Sequence, residues 1–182
     1  MKKIMITAIL VIAISQHQFA QGIFTFSVPK IEGGSQNFSA FQGKKLLVIT
    51  LPVQQSAAAD SFLFSLDTLS RSRAAQLKVV AVPSTEDGCT TANQSQLRQW
   101  YRSKLGNQVM ITSGLYTRKT SGNQQHPLFQ WLTKDVQNQV FDIDANVPGI
   151  KFFIRSNGTL YGVLGPVAKI SGQTVQRTLQ MQ

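Results

Sequence analysis

The chain has 182 residues, of which 18 are lysine or arginine and 8 are aspartate or glutamate, giving a formal net charge of +10. A hydrophobic fraction of 42% is ordinary for a globular protein and excludes both a disordered chain and a membrane protein with many spans. One cysteine excludes an internal disulfide framework, and two histidines leave little for a metal site. We therefore expect neither a cofactor nor a metal.

Residues 1–20 have the pattern of a secretory signal peptide. Lys2 and Lys3 precede an uncharged apolar run over 4–14, and Ala20 is a small residue suited to a cleavage site. As a helix this run would be about 16 Å long, half of a bilayer core of ~30 Å. We therefore expect cleavage and no stable membrane span. Because no cysteine stands directly after the run, a lipid-modified cysteine at the new N-terminus is excluded.

We expect residues 21–182 to form one mature domain that is periplasmic or secreted. Removing two lysines with the leader lowers the net charge from +10 to +8, and the remaining basic residues are scattered without a run of five. An exported protein with this charge pattern is not expected to bind nucleic acid. Adsorption to anionic surfaces, weakened by salt, is a further alternative.

Hydrophobic periodicity and turn residues predict ten secondary-structure elements. In chain order these are strands 23–28 and 45–51, helix 57–73, strand 77–82, helix 94–105, strand 109–112, helix 127–132, strands 151–155 and 160–164, and helix 170–181. The order has a β-α-β half followed by a β-β-α half. It predicts an α/β protein of thioredoxin-like arrangement, with a central mixed sheet, flanking helices and an N-terminal β-hairpin.

Three stretches of the mature chain carry motifs of a known family. Residues 23–49, IFTFSVPKIEGGSQNFSAFQGKKLLVI, follow the patterns I-Y-x-F-x-V-x-x-I-x-G and L-S-x-Y-x-G-K-x-L-L-I-V without a gap. Residues 126–132, HPLFQWL, match H-P-L-F/Y-x-W/F-L, and residues 151–158 match K-F-L-V-x-x-x-G in part. The chain thus resembles the glutathione peroxidase family over most of its mature length. That resemblance implies a thioredoxin-like fold.

The positions that carry the chemistry of that family are changed here. In the ungapped register, Gln55 stands where the family has the peroxidatic cysteine or selenocysteine of N-V-A-S-x-C-G, and Glu86 replaces the glutamine of F-P-C-N-Q-F-G. Val147 and Pro148 replace the family's tryptophan–asparagine pair. A carboxamide has no thiolate form and cannot attack a peroxide bond. No cysteine precedes Cys89 in the chain.

These replacements agree with one another. In the family, the glutamine, tryptophan and asparagine donate hydrogen bonds that favour a thiolate or selenolate. An ionised Glu86 would oppose a neighbouring anion, and Val147 and Pro148 have no side-chain donors. We therefore expect a degenerate, catalytically silent member of the family. It would bind an unidentified protein or small molecule through the loops 52–60 and 86–91.

Cys89 supports the alternative interpretation, a thiol-dependent peroxidase that uses glutathione or thioredoxin as reductant. The residue follows the predicted strand 77–82, at the sheet edge where this fold carries its chemistry. Against this role, Glu86 and Asp87 should raise the pKa of the thiol, whereas reactive thiols need electropositive surroundings. The chain also has no second cysteine to resolve a sulfenic acid.

Two further patterns receive structural interpretations. Residues 142–146, DIDAN, begin like a calcium loop, but Val147 and Phe153 stand where that loop requires glycine and glutamate. We therefore expect a polar turn. His126 has no thiol or serine partner fixed by a motif, and we expect it to support the start of the following helix.

Overall fold

The structure is a computed structural model that describes residues 22–181; the predicted signal peptide lies outside the described residues. The strands are β1 (Ser27–Pro29), β2 (Ser35–Asn37), β3 (Lys45–Leu51), β4 (Leu77–Pro83), β5 (Val109–Ile111), β6 (Lys151–Ile154) and β7 (Leu160–Leu164). The α-helices are α1 (Ala57–Ser72), α2 (Gln94–Lys104), α3 (Pro127–Thr133), α4 (Asp135–Asn138) and α5 (Gln173–Gln180). Short 3₁₀ helices cover Ile23–Thr25, Phe38–Phe41 and Lys119–Gln124.

The central sheet has five strands in the order β5-β4-β3-β6-β7. Strands β3, β4 and β5 are parallel, whereas β6 and β7 are antiparallel neighbours that extend the sheet from β3. Strands β1 and β2 form a separate antiparallel pair near the N-terminus. This confirms the predicted α/β class, the mixed central sheet and the N-terminal hairpin.

Apolar cores cover both faces of this sheet. Alternate side chains of β3 point to opposite faces, so Leu47 and Ile49 pack with α1, α2 and α5, whereas Leu46 and Val48 pack with α3. All of these β3 side chains are buried. Burial on both faces explains why this strand is a continuous apolar run in the sequence.

Helix α1 directly follows β3 and forms one wall of the site region. The Ser56 hydroxyl accepts a hydrogen bond from the Ala59 N–H at 3.1 Å, which caps the first turn. Leu63, Leu66 and Leu69 are buried against the sheet. Because the helix lies immediately after a central strand, its first turn stands at the carboxyl edge of the sheet.

The N-terminal and C-terminal ends differ from the predicted elements. The predicted strand 23–28 is a 3₁₀ turn followed by β1, because Ile23 is buried and its N–H bonds the distant Gly158 carbonyl at 3.2 Å. The last helix begins at Gln173 and not at Ile170, because Gly172 closes a turn onto the Lys169 carbonyl. Among the helices within 22–181, none combines the length and apolar character that crossing a bilayer requires.

Candidate functional site

Three segments meet at the carboxyl edge of β3 and β4, where parallel strands place the loops that follow them. They are the loop after β3, the loop after β4 and the segment that precedes β6. Together they surround a shallow pocket of about 290 Å³. Its lining residues are Pro52, Val53, Gln54, Asp87 and Pro148. None of these side chains carries a thiol.

Of the four positions predicted from the family register, Pro148 lines this pocket, whereas the other three each have a sequence neighbour that does. Gln55 is exposed one residue before the cap of α1, and Gln54 lines the pocket instead. Val147 is 40% exposed, and its carbonyl accepts a hydrogen bond from the Thr50 hydroxyl at 3.0 Å. The segment before β6 is thereby fixed to β3 through backbone and hydroxyl groups, with no side-chain donor presented by Val147 or Pro148.

Glu86 does not line the pocket, because its carboxylate is bound by another part of the chain. It accepts hydrogen bonds from the Ser84 hydroxyl at 2.6 Å, from the Thr117 N–H at 3.0 Å and from the Arg118 N–H at 2.9 Å. The Ser121 hydroxyl is a fourth donor. Burial acts to raise the pKa of Glu86, but these hydrogen bonds together outweigh it and lower the pKa. The carboxylate is therefore ionised and occupied.

Asp87 is the acidic group that lines the pocket. Its carboxylate forms an ion pair with the guanidinium of Arg118. Burial raises the pKa of Asp87 despite this partner, and the nearby charge of Glu86 acts in the same direction. The guanidinium of Arg118 is thus already engaged by Asp87, which leaves this cation less able to stabilise a second anion such as a thiolate or a peroxide-derived oxyanion.

Cys89 lies below the same edge and is 2% exposed. It packs in the apolar core on the α1 side of the sheet. Gly114 lies so close that an added methyl group there would stand 3.0 Å from the sulfur. Burial raises the pKa of the Cys89 thiol, although the Gly114 N–H acts to lower it. The thiol is therefore protonated at neutral pH and shielded from solvent.

Tyr101 connects the region of the buried thiol to the loop after β3. The tyrosine is fully buried, and its hydroxyl donates to the Pro52 carbonyl at 2.8 Å. Burial raises the pKa of Tyr101, and the proximity of Cys89 and Asp87 raises it further. The phenol therefore acts as a neutral donor that fixes the loop.

The remaining residues singled out in the sequence have local structural partners. The Nδ1 atom of His126 accepts the Leu128 N–H at 3.2 Å at the start of α3, and burial lowers the pKa of this histidine. Asp144 accepts the Lys119 N–H at 2.8 Å, and Asp142 pairs with the Lys119 ammonium. These two aspartates thus fasten the Lys119–Gln124 turn.

Sequence reasoning missed Asp87 as the pocket acid and Arg118 as its partner. Arg118 is 31 residues from Asp87 in the chain, so no local pattern connects the two. The adjacency of Glu86 and Asp87 was visible in the sequence, but which of them faces the pocket depends on the long-range partners of Glu86. The structure also places Gln54, and not Gln55, on the pocket wall.

No protein-family model and no curated protein matches the sequence. Solved structures match it well. The apo crystal structure of the glutathione peroxidase Trgpx has a TM-score of 0.67 at 16% identity, covering 88% of this chain and 94% of its own. T. cruzi GPX1 has a TM-score of 0.64, also at 16% identity, covering 88% of this chain and 95% of its own.

A third structure broadens the comparison. A secreted disulfide oxidoreductase of Mycobacterium tuberculosis, homologous to E. coli DsbE, has a TM-score of 0.53 at 15% identity. It covers 86% of this chain and 96% of its own. These likenesses establish the fold, which is thioredoxin-like as the sequence predicts.

Proposed function

We propose that the protein is an exported glutathione-peroxidase-like protein that is catalytically silent and acts by binding. The observation that carries this proposal is the composition of the pocket at the carboxyl edge of the sheet. There the family register requires a thiol or selenol with donors around it, and this chain has Gln54, Asp87 and Pro148. Carboxamide, carboxylate and pyrrolidine groups cannot reduce a peroxide.

The position of the only cysteine supports the same proposal. A peroxidatic sulfur must reach a peroxide oxygen as a thiolate, which requires solvent access and a lowered pKa. Cys89 is 2% exposed, and its pKa is raised by burial. The causes of this shift are burial and the Gly114 N–H, and no cation within the described residues is among them.

The alternative activity, peroxide reduction through Cys89 with glutathione or thioredoxin as reductant, has one observation in its favour. The Gly114 N–H bonds the sulfur and acts to lower the thiol pKa, as a donor to a thiolate would. Burial is the larger contribution, however, and the thiol pKa is raised as a whole. A peroxidase would therefore need the loops around the thiol to open.

An assay of peroxide turnover distinguishes the silent binding protein from the Cys89 peroxidase. The mature chain, 21–182, is mixed with hydrogen peroxide or cumene hydroperoxide, with glutathione or thioredoxin and its reductase as the electron source. The proposal predicts equal and background-level consumption by the wild type and by Cys89→Ser. Turnover in the wild type that Cys89→Ser abolishes would establish the peroxidase instead. A glutathione peroxidase of known activity, assayed in parallel, verifies the reductants.

Export is the second part of the proposal, and it rests on the sequence of residues 1–20. Two lysines followed by an apolar run and a small residue form the pattern of a cleaved leader. N-terminal sequencing of the protein from periplasmic and medium fractions tests it. The expected new N-terminus is Gln21, and an intact Met1 in the cytoplasmic fraction would contradict export.

The binding surface that we propose consists of the loops 52–60 and 86–91, and its partner is a protein or a small molecule. The mature chain is proposed to act as one domain. Backbone amide chemical shifts of the mature protein, recorded with and without an extract of the host envelope, test this surface. Perturbations confined to the two loops support it, whereas perturbations elsewhere, with these loops unchanged, contradict it.

A further inference from the structure

Lys151, the first residue of β6, is a cation buried in the sheet. The residue is 1% exposed. Its ammonium donates to the Gly149 carbonyl at 2.7 Å and to the Gly165 carbonyl at 3.1 Å. These bonds use two of the three N–H groups of an ammonium. None of the ion pairs within residues 22–181 includes Lys151, so its charge has no acidic counterpart there.

Lys151 contributes to the wall of a cavity of about 390 Å³. This cavity lies between α1 and the segment 165–171 that follows β7. Its apolar wall comes from Phe62, Pro166, Ala168 and Ile170. The charged side chains that line it are Lys151 and Lys169, and no acidic side chain does so.

The two acidic residues of α1 are occupied elsewhere and do not offset this positive charge. Asp60 pairs with Lys104 at 2.8 Å and accepts a hydrogen bond from a tryptophan of α2. Asp67 pairs with Arg71 at 2.7 Å and accepts the Gly106 N–H at 2.8 Å. The cavity therefore presents uncompensated positive charge next to apolar surface, and burial accordingly lowers the pKa of Lys151 to about 8.

A second depression, of about 290 Å³, continues the cavity along α1. The two share Ser65, Ile170 and Ser171. The extension adds Phe64, which is 69% exposed, and ends at Ser72. From Ala58 to Ser72 the combined groove follows about 21 Å of helix. Its shape therefore fits an elongated molecule with one polar end.

We propose that this groove binds a free fatty acid of medium chain length, with the carboxylate at the Lys151 ammonium and the hydrocarbon chain along α1. The remaining N–H of Lys151 and the charge of Lys169 recognise the carboxylate, because charge-assisted hydrogen bonds are strongest where water is excluded. Phe62, Ala168 and Ile170 contact the chain. This proposal does not depend on whether the protein is a peroxidase, because none of the residues that line the pocket with Asp87 and Pro148 lines this groove.

Calorimetric titration of the mature protein with decanoate tests the site, with decanol as a matched ligand that has the same chain length and no charge. The groove predicts saturable decanoate binding at a stoichiometry of one, and binding of decanol that is weaker by about ten-fold or more. Equal affinity for the two ligands would contradict a role for the ammonium. Absence of saturation by decanoate below its micelle concentration would overturn the site as a whole.

Two lysine variants assign the binding to this groove. Lys151→Met keeps the length of the side chain and removes the charge, so decanoate affinity should fall about ten-fold or more while decanol affinity changes little. Lys169→Met, at the exposed rim, should lower decanoate affinity by less than about three-fold. Equal losses in the two variants, or no loss in Lys151→Met, would contradict the assignment.

A steric variant protects the test against misfolding of Lys151→Met. Ala168→Trp fills the cavity from the loop side without touching the buried charge. Both decanoate and decanol should lose about ten-fold or more of their affinity in this variant. Unchanged binding of decanoate by Ala168→Trp would place the fatty acid elsewhere and overturn the proposal. Far-UV circular dichroism of each variant, compared with wild type, verifies the fold.

Discussion

Glu86 and Lys151 carry opposite charges near the carboxyl edge of the sheet, and they differ in how many hydrogen-bond partners the protein provides for each charge. Glu86 accepts four hydrogen bonds, from Ser84, Ser121 and two backbone N–H groups. Lys151 is more deeply buried, yet it has only two carbonyl partners and no carboxylate. The Glu86 carboxylate is therefore fully hydrogen-bonded within the protein, whereas the Lys151 ammonium has one N–H left that a ligand could accept.

The difference in hydrogen bonding indicates a structural role for the charge of Glu86 and a binding role for the charge of Lys151. The hydrogen bonds to Glu86 hold the segment around Thr117 and Ser121 in place, so the carboxylate has no remaining role in chemistry at the pocket. Lys151 faces an apolar cavity whose walls bring no acid. The acidic groups at the edge that carries Glu86 and Asp87 thus have partners within the protein, whereas the charge of the neighbouring groove does not.

The largest change in stability is expected from Glu86→Gln. The amide keeps the shape but removes the charge and turns one acceptor into a donor that faces other donors. We expect a loss of about 2–3 kcal/mol in the free energy of unfolding and a fall of about 5–12 °C in Tm. Urea denaturation and calorimetry measure both quantities.

Glu32→Gln is the matched control, because Glu32 is the only other glutamate in the chain. It forms an exposed ion pair with Arg102. Such a pair contributes about 0–1 kcal/mol, so Tm should change by no more than a few degrees. Equal losses in the two variants would mean that the four hydrogen bonds of Glu86 carry no special stability.

An intermediate effect is expected in the pH dependence that Lys151 imposes on stability. The folded pKa is about 8, below the ordinary value of 10.5, so between these values the unfolded chain binds more protons. Stability of the wild type relative to Lys151→Met should therefore rise as pH increases from 8 towards 10. We expect a relative gain of about 1–2 kcal/mol by pH 9.5, less than the full shift because this pH is still below the unfolded pKa of 10.5.

Urea midpoints of the two proteins, measured at pH 7, 8, 9 and 9.5, give this difference directly. Below pH 8 the lysine is protonated in both states, and the difference between the proteins should be constant. A difference that is flat from pH 7 to 9.5, or that falls with increasing pH, would show that the buried ammonium is compensated after all. The tyrosine contributions cancel because both proteins contain the same tyrosines.

The smallest effect is expected from thiols placed at the pocket edge in a Cys89→Ser background. Gln54→Cys and Gln55→Cys should both react with an aromatic disulfide reagent, since both positions are exposed. Their rates with hydrogen peroxide should stay within about ten-fold of free cysteine, short of the ~10²–10⁴-fold that positioned groups supply. The reason is that the paired Asp87 faces this pocket and no donor cluster does.

Stopped-flow consumption of peroxide measures these rates. A rate for either thiol that is a thousand-fold above free cysteine would show that the pocket still activates sulfur. It would also contradict the view that this edge is internally neutralised. A large difference between the two positions would identify which of them the pocket activates more strongly.

Much of the fold could be predicted because its signals are local. The run of β3 is apolar throughout since both faces of the strand are buried, and helix α1 shows its buried stripe at helical spacing. The prediction of a strand at Ile23–Thr25 is wrong, because the 3₁₀ turn found there depends on a hydrogen bond to the carbonyl of Gly158, which lies far along the chain. Alternation of side chains alone does not contain that contact.

The site was predictable only in part, for the same reason. The sequence shows that no cysteine precedes Cys89, but the roles of Glu86 and Asp87 depend on partners more than 30 residues away. Lys151 gave one usable signal, a lysine at the start of an apolar strand. The groove beside it depends on the packing of the 165–171 segment against α1, which periodicity does not predict.

The central claim is that Cys89, the one thiol within residues 22–181, is inaccessible in the native protein. Peptide mass spectrometry of the mature protein after brief exposure to hydrogen peroxide, with and without urea, measures the oxidation of Cys89 separately from that of Met110 and Met181. We predict that the native protein keeps an unmodified thiol while the unfolded protein gains oxygen on it. Rapid formation of a sulfenic acid on Cys89 in the native protein would contradict the account.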